Sequence, residues 1–522
     1  MVPLKPRQYQ QIIFETAKNA NTLVVLPTGL GKTLPAILLS IHRLKTFPTS
    51  KTLILAPTKP LVDQHFTTFK SQLPELFAQL ELLTGIIPPK KRQLLFNQAD
   101  IIFATPQTIA NDLRNSLYSL QDVSLLVVDE CHRSTGNYEY TTTVDFYKRQ
   151  SKNQRILGLT ASPGSDPKKV KEICQHLNIE EIEVRTRESE DVKSYLKQRE
   201  FQKIEVPFPH EFIEIKTLLK KIFDENINKL KEKNLLYGPA NKISLLELQK
   251  KLASRVQFKD FTAMHGMSLT AQAIKVAHAL ELLETQTISG LNEYIINLQQ
   301  QAKNKQSRAV QQLMKNPSFN ASLISLQNLL KNKIEHPKIE ELATIIEEEI
   351  KKNQKAKIMV FCQFRDTATT ISKRLNQIKS INAKVFLGQA KKSNSSGTTT
   401  GLTQKEQKEI LDKFRNGEIN VVIATSIGEE GLDIPEVSAV IFYEAIPSAI
   451  RKIQRAGRTA RLQPGKTIIL VTKETRDIAY HYASTAKERK MYKIIEAVKQ
   501  ELIENKKNKE KEKKAGTLSD FQ

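Results

Sequence analysis

Short apolar runs rich in β-branched residues, spaced by helical stretches, recur near the start of this chain and again near its end, and few folds accommodate that rhythm. The early runs are Thr22 to Leu26, Thr52 to Ala56, Asp100 to Ala104, Leu125 to Val128 and Ile156 to Leu159. The late ones are Lys357 to Cys362, Ala383 to Leu387, Asn420 to Ala424, Ala439 to Tyr443 and Thr467 to Val471. Continuous apolar runs of this length suit strands buried on both faces, and their alternation with helices predicts parallel, doubly wound α/β sheets. Two such lobes are expected, and a chain of 522 residues is too long for one core.

Between Phe201 and Glu341 the pattern turns helical and Lys-rich, as in FIEIKTLLKKIFDENINKLKEKNLL, so an α-helical domain is expected between the lobes. The expected divisions are a first lobe at 1–200, a helical insertion at 201–344, a second lobe at 345–495 and a tail at 496–522. The tail is so charged that disorder is expected of it. KKSNSSGTTTG, Lys391 to Gly401, reads as a mobile loop within the second lobe.

Charge narrows the partner. Lys and Arg number 80 against 56 Asp and Glu, a formal net charge of +24, which favours a polyanion held through its phosphates. Cys131, Cys174 and Cys362 lie too far apart in sequence for a CxxC pair, so neither a disulfide framework nor a zinc site is indicated. No apolar stretch is long enough to span a bilayer, and MVPLKPRQYQ has no signal-peptide pattern. A cytoplasmic, nucleoid-associated protein without membrane contact is expected.

The first strand runs directly into LPTGLGKT, Leu26 to Thr33. Thr28, Gly29 and Gly31 shape a turn whose backbone N–H groups can surround phosphates, Lys32 brings a point charge, and the Thr33 hydroxyl opens a helix where Mg²⁺ can be ligated. VVDECH, Val127 to His132, ends the fourth apolar run with two carboxylates at the C-terminal edge of the sheet, where α/β ligands bind. Asp129 is expected to hold Mg²⁺ and Glu130 to act as general base toward a water attacking ATP. Pro57 and Thr58, Thr84 and Gly85, and Thr105 and Pro106 follow other strand ends at helix starts, which suits gripping a nucleic-acid backbone without reading bases.

DECH after a P-loop resembles the signature of superfamily 2 helicases, and the family's further motifs follow in order. Arg7 and Gln10 resemble the Q motif, which implies recognition of the adenine of ATP; Thr160 to Ser162 resembles motif III. ATSIGEEGLDIP, Ala424 to Pro435, resembles motif V and IQRAGRTAR, Ile453 to Arg461, resembles motif VI. The resemblance implies Gly431 and Asp433 at the nucleotide and Thr425 at nucleic acid. It implies Gln454 as a sensor of the catalytic centre and Arg458 and Arg461 as arginine fingers, with Arg455, Arg458 and Arg461 on one helical face. Ala460 stands where the family usually has glycine.

LAPTKPLVDQH, ATPQTIANDL, HALELLETQ and FYEAIPSAIRKIQRAGRTAR are similar to the archaeal Hef helicases and their eukaryotic FANCM relatives. That resemblance implies two RecA-like lobes, an insertion that grips branched DNA, and ATP-driven work on forks. The Hef nuclease signature is not matched, because Glu488-Arg489-Lys490 is followed by MYKI with no acid at the required spacing. Two other readings stay open: a double-stranded-RNA-dependent motor of the RIG-I-like type, and a non-unwinding adaptor gated by ATP. At the C-terminus Leu518 and Phe521, three apart, resemble a sliding-clamp (PCNA) binding box, although Ala515 and Gln522 replace its usual Gln and second aromatic.

Overall fold

The computed structural model describes residues 5–74, 77–196, 199–388, 392–393, 399–425, 434–459 and 464–519, with backbone alone at 199, 392–393, 399–400 and 509–519. Seven strands build the first sheet: β1 (Thr22–Val25), β2 (Lys51–Leu55), β3 (Leu80–Leu83), β4 (Ile101–Ala104), β5 (Val123–Asp129), β6 (Ile156–Thr160) and β7 (Glu181–Val184). All are parallel, in the order β3-β4-β2-β5-β6-β1-β7. The second sheet uses β8 (Arg199–Val206), β9 (Ile358–Phe361), β10 (Ala383–Phe386), β13 (Val421–Ala424), β14 (Ala439–Phe442) and β15 (Gly465–Thr472), also parallel, in the order β10-β13-β9-β14-β15-β8. The central strands β1, β4, β5, β6, β9, β13 and β14 are buried along their whole length, as continuous apolar runs require.

Three strands of the two large sheets escaped the periodicity reading, and all three are sheet edges. β3 (LELL), β7 (EIEV) and β8 (REFQKIEV) interleave acids with apolar residues, because one side of an edge strand faces water. β8 also corrects a boundary. The expected insertion begins at 201, inside this strand, yet β8 pairs with β15 over eight residues, so the chain enters the second lobe before the insertion leaves it. The insertion helices run from His210 to Lys331. Helix Lys338–Lys352 spans the expected start of the second lobe and already packs Ile339, Leu342 and Ile346 into that lobe's core.

The expectation of a disordered tail fails from its first residues. Helix Arg476–Ser519 is 44 residues long and leaves the second lobe to place Met491, Ile494, Ile495 and Val498 in the core of the first. Lys171 pairs with Glu501 at 2.7 Å and Lys506 with Glu181 at 3.0 Å. Apolar residues at three- and four-residue steps continue past 496, and their signal was outweighed by the surrounding lysines. Within Lys391–Gly401, β11 (Lys392–Ser393) and β12 (Thr399–Thr400) form an antiparallel pair. Among the described residues, no helix is long and apolar enough to cross a membrane.

Candidate nucleotide site and nucleic-acid edge

Because every strand of the first sheet is parallel, all its C-terminal ends open on one edge, and the order of strands sorts the loops along that edge. β5, β6 and β1 are neighbours and carry Asp129-Glu130, Thr160–Ser162 and the P-loop; β3, β4 and β2 are neighbours and carry Thr84-Gly85, Thr105-Pro106 and Pro57-Thr58. One edge thus carries the candidate phosphate-binding loops on one half and the Thr- and Pro-bearing loops on the other.

In the P-loop Gly29 and Gly31 have φ of +87° and +70°, left-handed values that cost a side-chain-bearing residue free energy. A Cβ at 31 would also lie 2.9 Å from Gln10 Nε2. Thr33 opens the helix Thr33–Thr46, whose first N–H groups lack partners within the helix and face back toward the loop. Lys32 Nζ stands 3.4 Å from Glu130 Oε1, and His132 Nδ1 stands 3.3 Å from Glu130 Oε2 and 3.1 Å from Thr160 Oγ1. Glu130 adopts φ +48°, a strained conformation for a glutamate. Asp129 Oδ2 lies 2.8 Å from His65 Nε2, and its backbone carbonyl accepts the Tyr140 hydroxyl at 2.6 Å.

Electrostatics keep these groups ionised. Burial pushes the Asp129 carboxyl up, but the hydrogen bond from His65, its charge and that of Lys32 outweigh burial and hold it at about 2. Glu130 is also lowered: burial opposes ionisation, and Lys32 and His132 overcome it. Lys32 is correspondingly raised against its burial by Glu130 and Asp129. Two anionic carboxylates beside one ammonium fit a divalent cation and a polyphosphate: Thr33 and Asp129 would hold Mg²⁺, and Lys32 would meet phosphate. The carboxylate of Glu130 stays available to accept a proton.

His65 and His132 went unassigned at the sequence level although both end recognised strings, APTKPLVDQH and VVDECH. Their signal is the fold's: His65 sits on the helix after β2, which is next to β5.

The Q-motif residues are tied to the P-loop. Gln10 is buried and spends its amide on the chain itself, Nε2 donating to Leu30 O at 3.1 Å and Gly31 O at 3.2 Å while Oε1 accepts from Arg7 N at 2.9 Å. These bonds brace the P-loop from helix Gln8–Asn19. Arg7 lies over the Tyr195 ring, 5.0 Å from its centroid, and donates to the Tyr9 hydroxyl.

The second lobe meets this site through helix Ala449–Ala456, which carries Gln454 and ends before Arg458. The expectation that Arg455, Arg458 and Arg461 share a helical face is therefore not met. Arg455 turns inward, 1% exposed, with its guanidinium 4.8 Å from the Phe361 ring centroid, and Arg458 sits in the turn that follows. Gly457, between them, packs directly on Thr28 of the P-loop. Gly431, Asp433, Ala460 and Arg461 lie outside the described residues, as do Phe521 and the side chain of Leu518.

On the other half, Thr58 and Thr105 are the N-cap residues of helices Lys59–Gln72 and Pro106–Arg114. The Thr105 hydroxyl contacts that of Thr108 at 2.9 Å, Pro57 and Thr84 are buried, and the space around Gly85 is open. Thr425 directly follows β13 in the other lobe and is also buried. A cavity of about 560 Å³ separates helix Lys59–Gln72 from helix Gln404–Asn416 across the lobes, lined by Lys59, Gln64, Gln404, Lys408 and Arg415.

Known proteins share this plan. Residues 7–170 match the family described as "DEAD/DEAH box helicase", residues 337–463 "Helicase conserved C-terminal domain", and residues 211–336 "Putative ATP-dependent RNA helicase, helical bundle". The "Putative ATP-dependent RNA helicase MJ1505" of Methanocaldococcus jannaschii is 39% identical over 94% of this chain. The "Putative ATP-dependent DNA helicase fml2" of Schizosaccharomyces pombe is 34% identical over 94% of it. The chain spans 61% and 64% of the lengths of those two relatives. The crystal structure of the Pyrococcus furiosus Hef helicase domain superposes with a TM-score of 0.69 at 42% identity, covering 92% of this chain and 98% of that one. With both RecA-like lobes, the insertion and the site accounted for across nearly the whole of that domain, the chain belongs to the Hef helicase family.

Proposed function

We propose that the chain is an ATP-driven helicase or translocase acting on forked or branched DNA in replication-fork repair. One observation carries the reading: Lys32, Asp129 and Glu130 converge at the sheet edge while Gly457, beside Arg458, closes on the P-loop from the other lobe. ATP would lie between the lobes with Mg²⁺, which supplies charge neutralisation when bound. Lys32 and the P-loop N–H groups bind and orient the phosphates. Glu130 takes the proton of the attacking water, and His132 and Lys32 fix its carboxylate. Arg458 and Arg461 supply positive charge from the second lobe, Gln454 senses the centre, and Gly431 and Asp433 meet the nucleotide. Pro57, Thr58, Thr84, Gly85, Thr105, Pro106 and Thr425 track the DNA backbone, and the Lys-rich insertion holds the branch. Clamp binding through Leu518 and Phe521 belongs to the same reading.

Lys32→Ala and Glu130→Gln should each abolish ATP turnover, with the second still binding ATP. Deleting 207–337 should remove the preference for forks over linear DNA while leaving nucleotide binding. Turnover near wild type in either point variant rejects the assignment. The description matched by the helical insertion names RNA helicases, so ATPase stimulation by forked DNA should be measured beside stimulation by duplex RNA. Stronger stimulation by RNA selects the alternative motor, and stimulation without strand displacement selects the ATP-gated adaptor.

A further inference from the structure

The corner between insertion helices Lys242–Val256 and Phe261–Thr285 presents two phenylalanine rings to water. Phe258 is 85% exposed and Phe261 83%, against 48% for Phe201, the next most exposed phenylalanine among the described residues. The corner is braced. Asp260 caps the second helix by accepting from Ala263 N at 2.9 Å, and the Arg255 guanidinium closes on Asp260 Oδ2 at 2.6 Å. Lys259 takes φ +59° to make the bend, and Leu252 and Ala263 anchor both arms in the helical core. Both rings therefore stand on a fixed platform, each displayed at a cost in hydration that nothing in the fold offsets.

The charge around them selects the partner. Lys250, Lys251 and Lys259 are exposed and form no ion pair among the described residues. Unpaired cations beside bare aromatic rings complement a ligand with phosphates and flat apolar faces together, which is an unpaired stretch of nucleic acid. An intact duplex hides those faces in its own stack, so only a branch point or a single-stranded arm offers them.

We propose that Phe258 and Phe261 stack on unpaired bases at the branch of a forked DNA while Lys250, Lys251 and Lys259 hold the adjoining phosphates. This rests on the reading of the insertion as the element that grips branched DNA, and it names the contact that tells a branch from a duplex.

The test uses the full chain as wild type, F258A/F261A and F258W/F261W, with a fork carrying 2-aminopurine at an unpaired branch nucleotide and a linear duplex as probes. Exposed side chains make no packing contacts to lose, so the melting temperatures of all three should agree. Fork affinity should fall by about tenfold for each ring removed, while affinity for linear duplex changes less than about twofold. Wild type and F258W/F261W should quench the 2-aminopurine on binding, and F258A/F261A should not. Undiminished fork affinity in F258A/F261A, or quenching that survives it, overturns the proposal, including where the same variant loses a protein partner instead. A fork preference that disappears on deleting 207–337 but persists in F258A/F261A overturns this contact and leaves the gripping role standing. Phe-dependent quenching in a protein that binds forks and duplexes equally supports the contact and counts against fork selection.

Discussion

Replacing Gly457 with alanine should stop the motor without unfolding it. A Cβ at 457 would lie 1.5 Å from Thr28 Oγ1, 2.6 Å from Thr28 Cβ and 3.1 Å from Thr28 Cγ2, so the three nearest atoms all belong to the other lobe. Rotating Thr28 moves Oγ1 and Cγ2 but leaves its Cβ in place. Carbon atoms pack at about 3.5–4.0 Å, so the lobes must separate by about 1 Å to admit the methyl group. Misplacing reacting groups by that distance can cost about 100-fold in rate, or about 2.7 kcal/mol of barrier. Gly457 itself has φ −75°, which alanine adopts without strain, so the second lobe should fold normally. Steady-state ATPase rates of G457A, T28G and the double variant form the assay, with thermal melts beside them. The expected result is a loss of about 100-fold in kcat for G457A, an unchanged melt, and a double variant faster than the two single effects multiplied, since T28G removes all three contacted atoms. G457A within about threefold of wild type, or a double variant that shows no coupling, would refute the claim that this contact closes the catalytic cleft.

Other consequences are as direct. His65→Ala should move the acid limb of the ATPase pH profile upward, because His65 helps hold Asp129 at about 2; an unmoved limb would remove His65 from the site. Glu444 is buried, which pushes its carboxyl from 4.5 to about 7, so the folded state keeps a proton that the unfolded state releases across that window. Wild type should therefore lose stability as pH rises from 4.5 toward 7, and Glu444→Gln should be more stable by about 3 kcal/mol at pH 8 with no advantage below 4.5; parallel urea-unfolding curves across pH would contradict this. Ile495→Ala should destabilise the protein by about 2–4 kcal/mol, since that side chain is fully buried in the first lobe's core, and a loss under about 0.5 kcal/mol would mean the helix is not seated there. A peptide of residues 513–522 should bind a sliding clamp by calorimetry and lose binding with Phe521→Ala; no heat at high peptide concentration ends that idea.

The central strands were legible because burial on both faces leaves a continuous apolar record, as in Leu125 to Val128. The edge strands β3, β7 and β8 were not, since water on one side permits glutamates that break the run. The site divides similarly. Lys32, Asp129 and Glu130 belong to compact strings whose spacing carries their chemistry, so sequence placed them near one another. His65 is 64 residues from Asp129, and only the adjacency of β2 and β5 brings them to 2.8 Å. Gln10 was singled out by resemblance alone, and no pattern in RQYQ shows that its amide also donates to the Leu30 and Gly31 carbonyls of the P-loop. The terminal helix was misread because composition averages over a face: the lysines that make 496–522 look soluble share their turns with Val498 and Leu502, which the first lobe buries or half-covers.

That same helix ties three parts of the molecule to one rod. At its start Asp477 meets Lys338 in a fully buried pair and accepts from Ala445 N in the second lobe, while Arg476 donates to Ala277 O at 2.7 Å and pairs with Glu284 at 3.3 Å, both on the insertion. Fifteen residues after Arg476, Met491 accepts the Ser162 hydroxyl at 2.8 Å beside the nucleotide site of the first lobe. An α-helix rises about 1.5 Å per residue and is stiff over such a length, so these anchors are held roughly 20 Å apart. Opening the cleft between Thr28 and Gly457 must then break either the apolar seat around Met491 and Ile495 or the buried polar junction around Asp477. Buried ion pairs are costly to strip of one partner, whereas the apolar seat can slide by small steps between side-chain packings. Any opening of the cleft should therefore shift the rod against the first lobe, next to Ser162, and leave it with the second lobe and the insertion, whose contacts at Asp477 and Arg476 are polar and buried or partly buried.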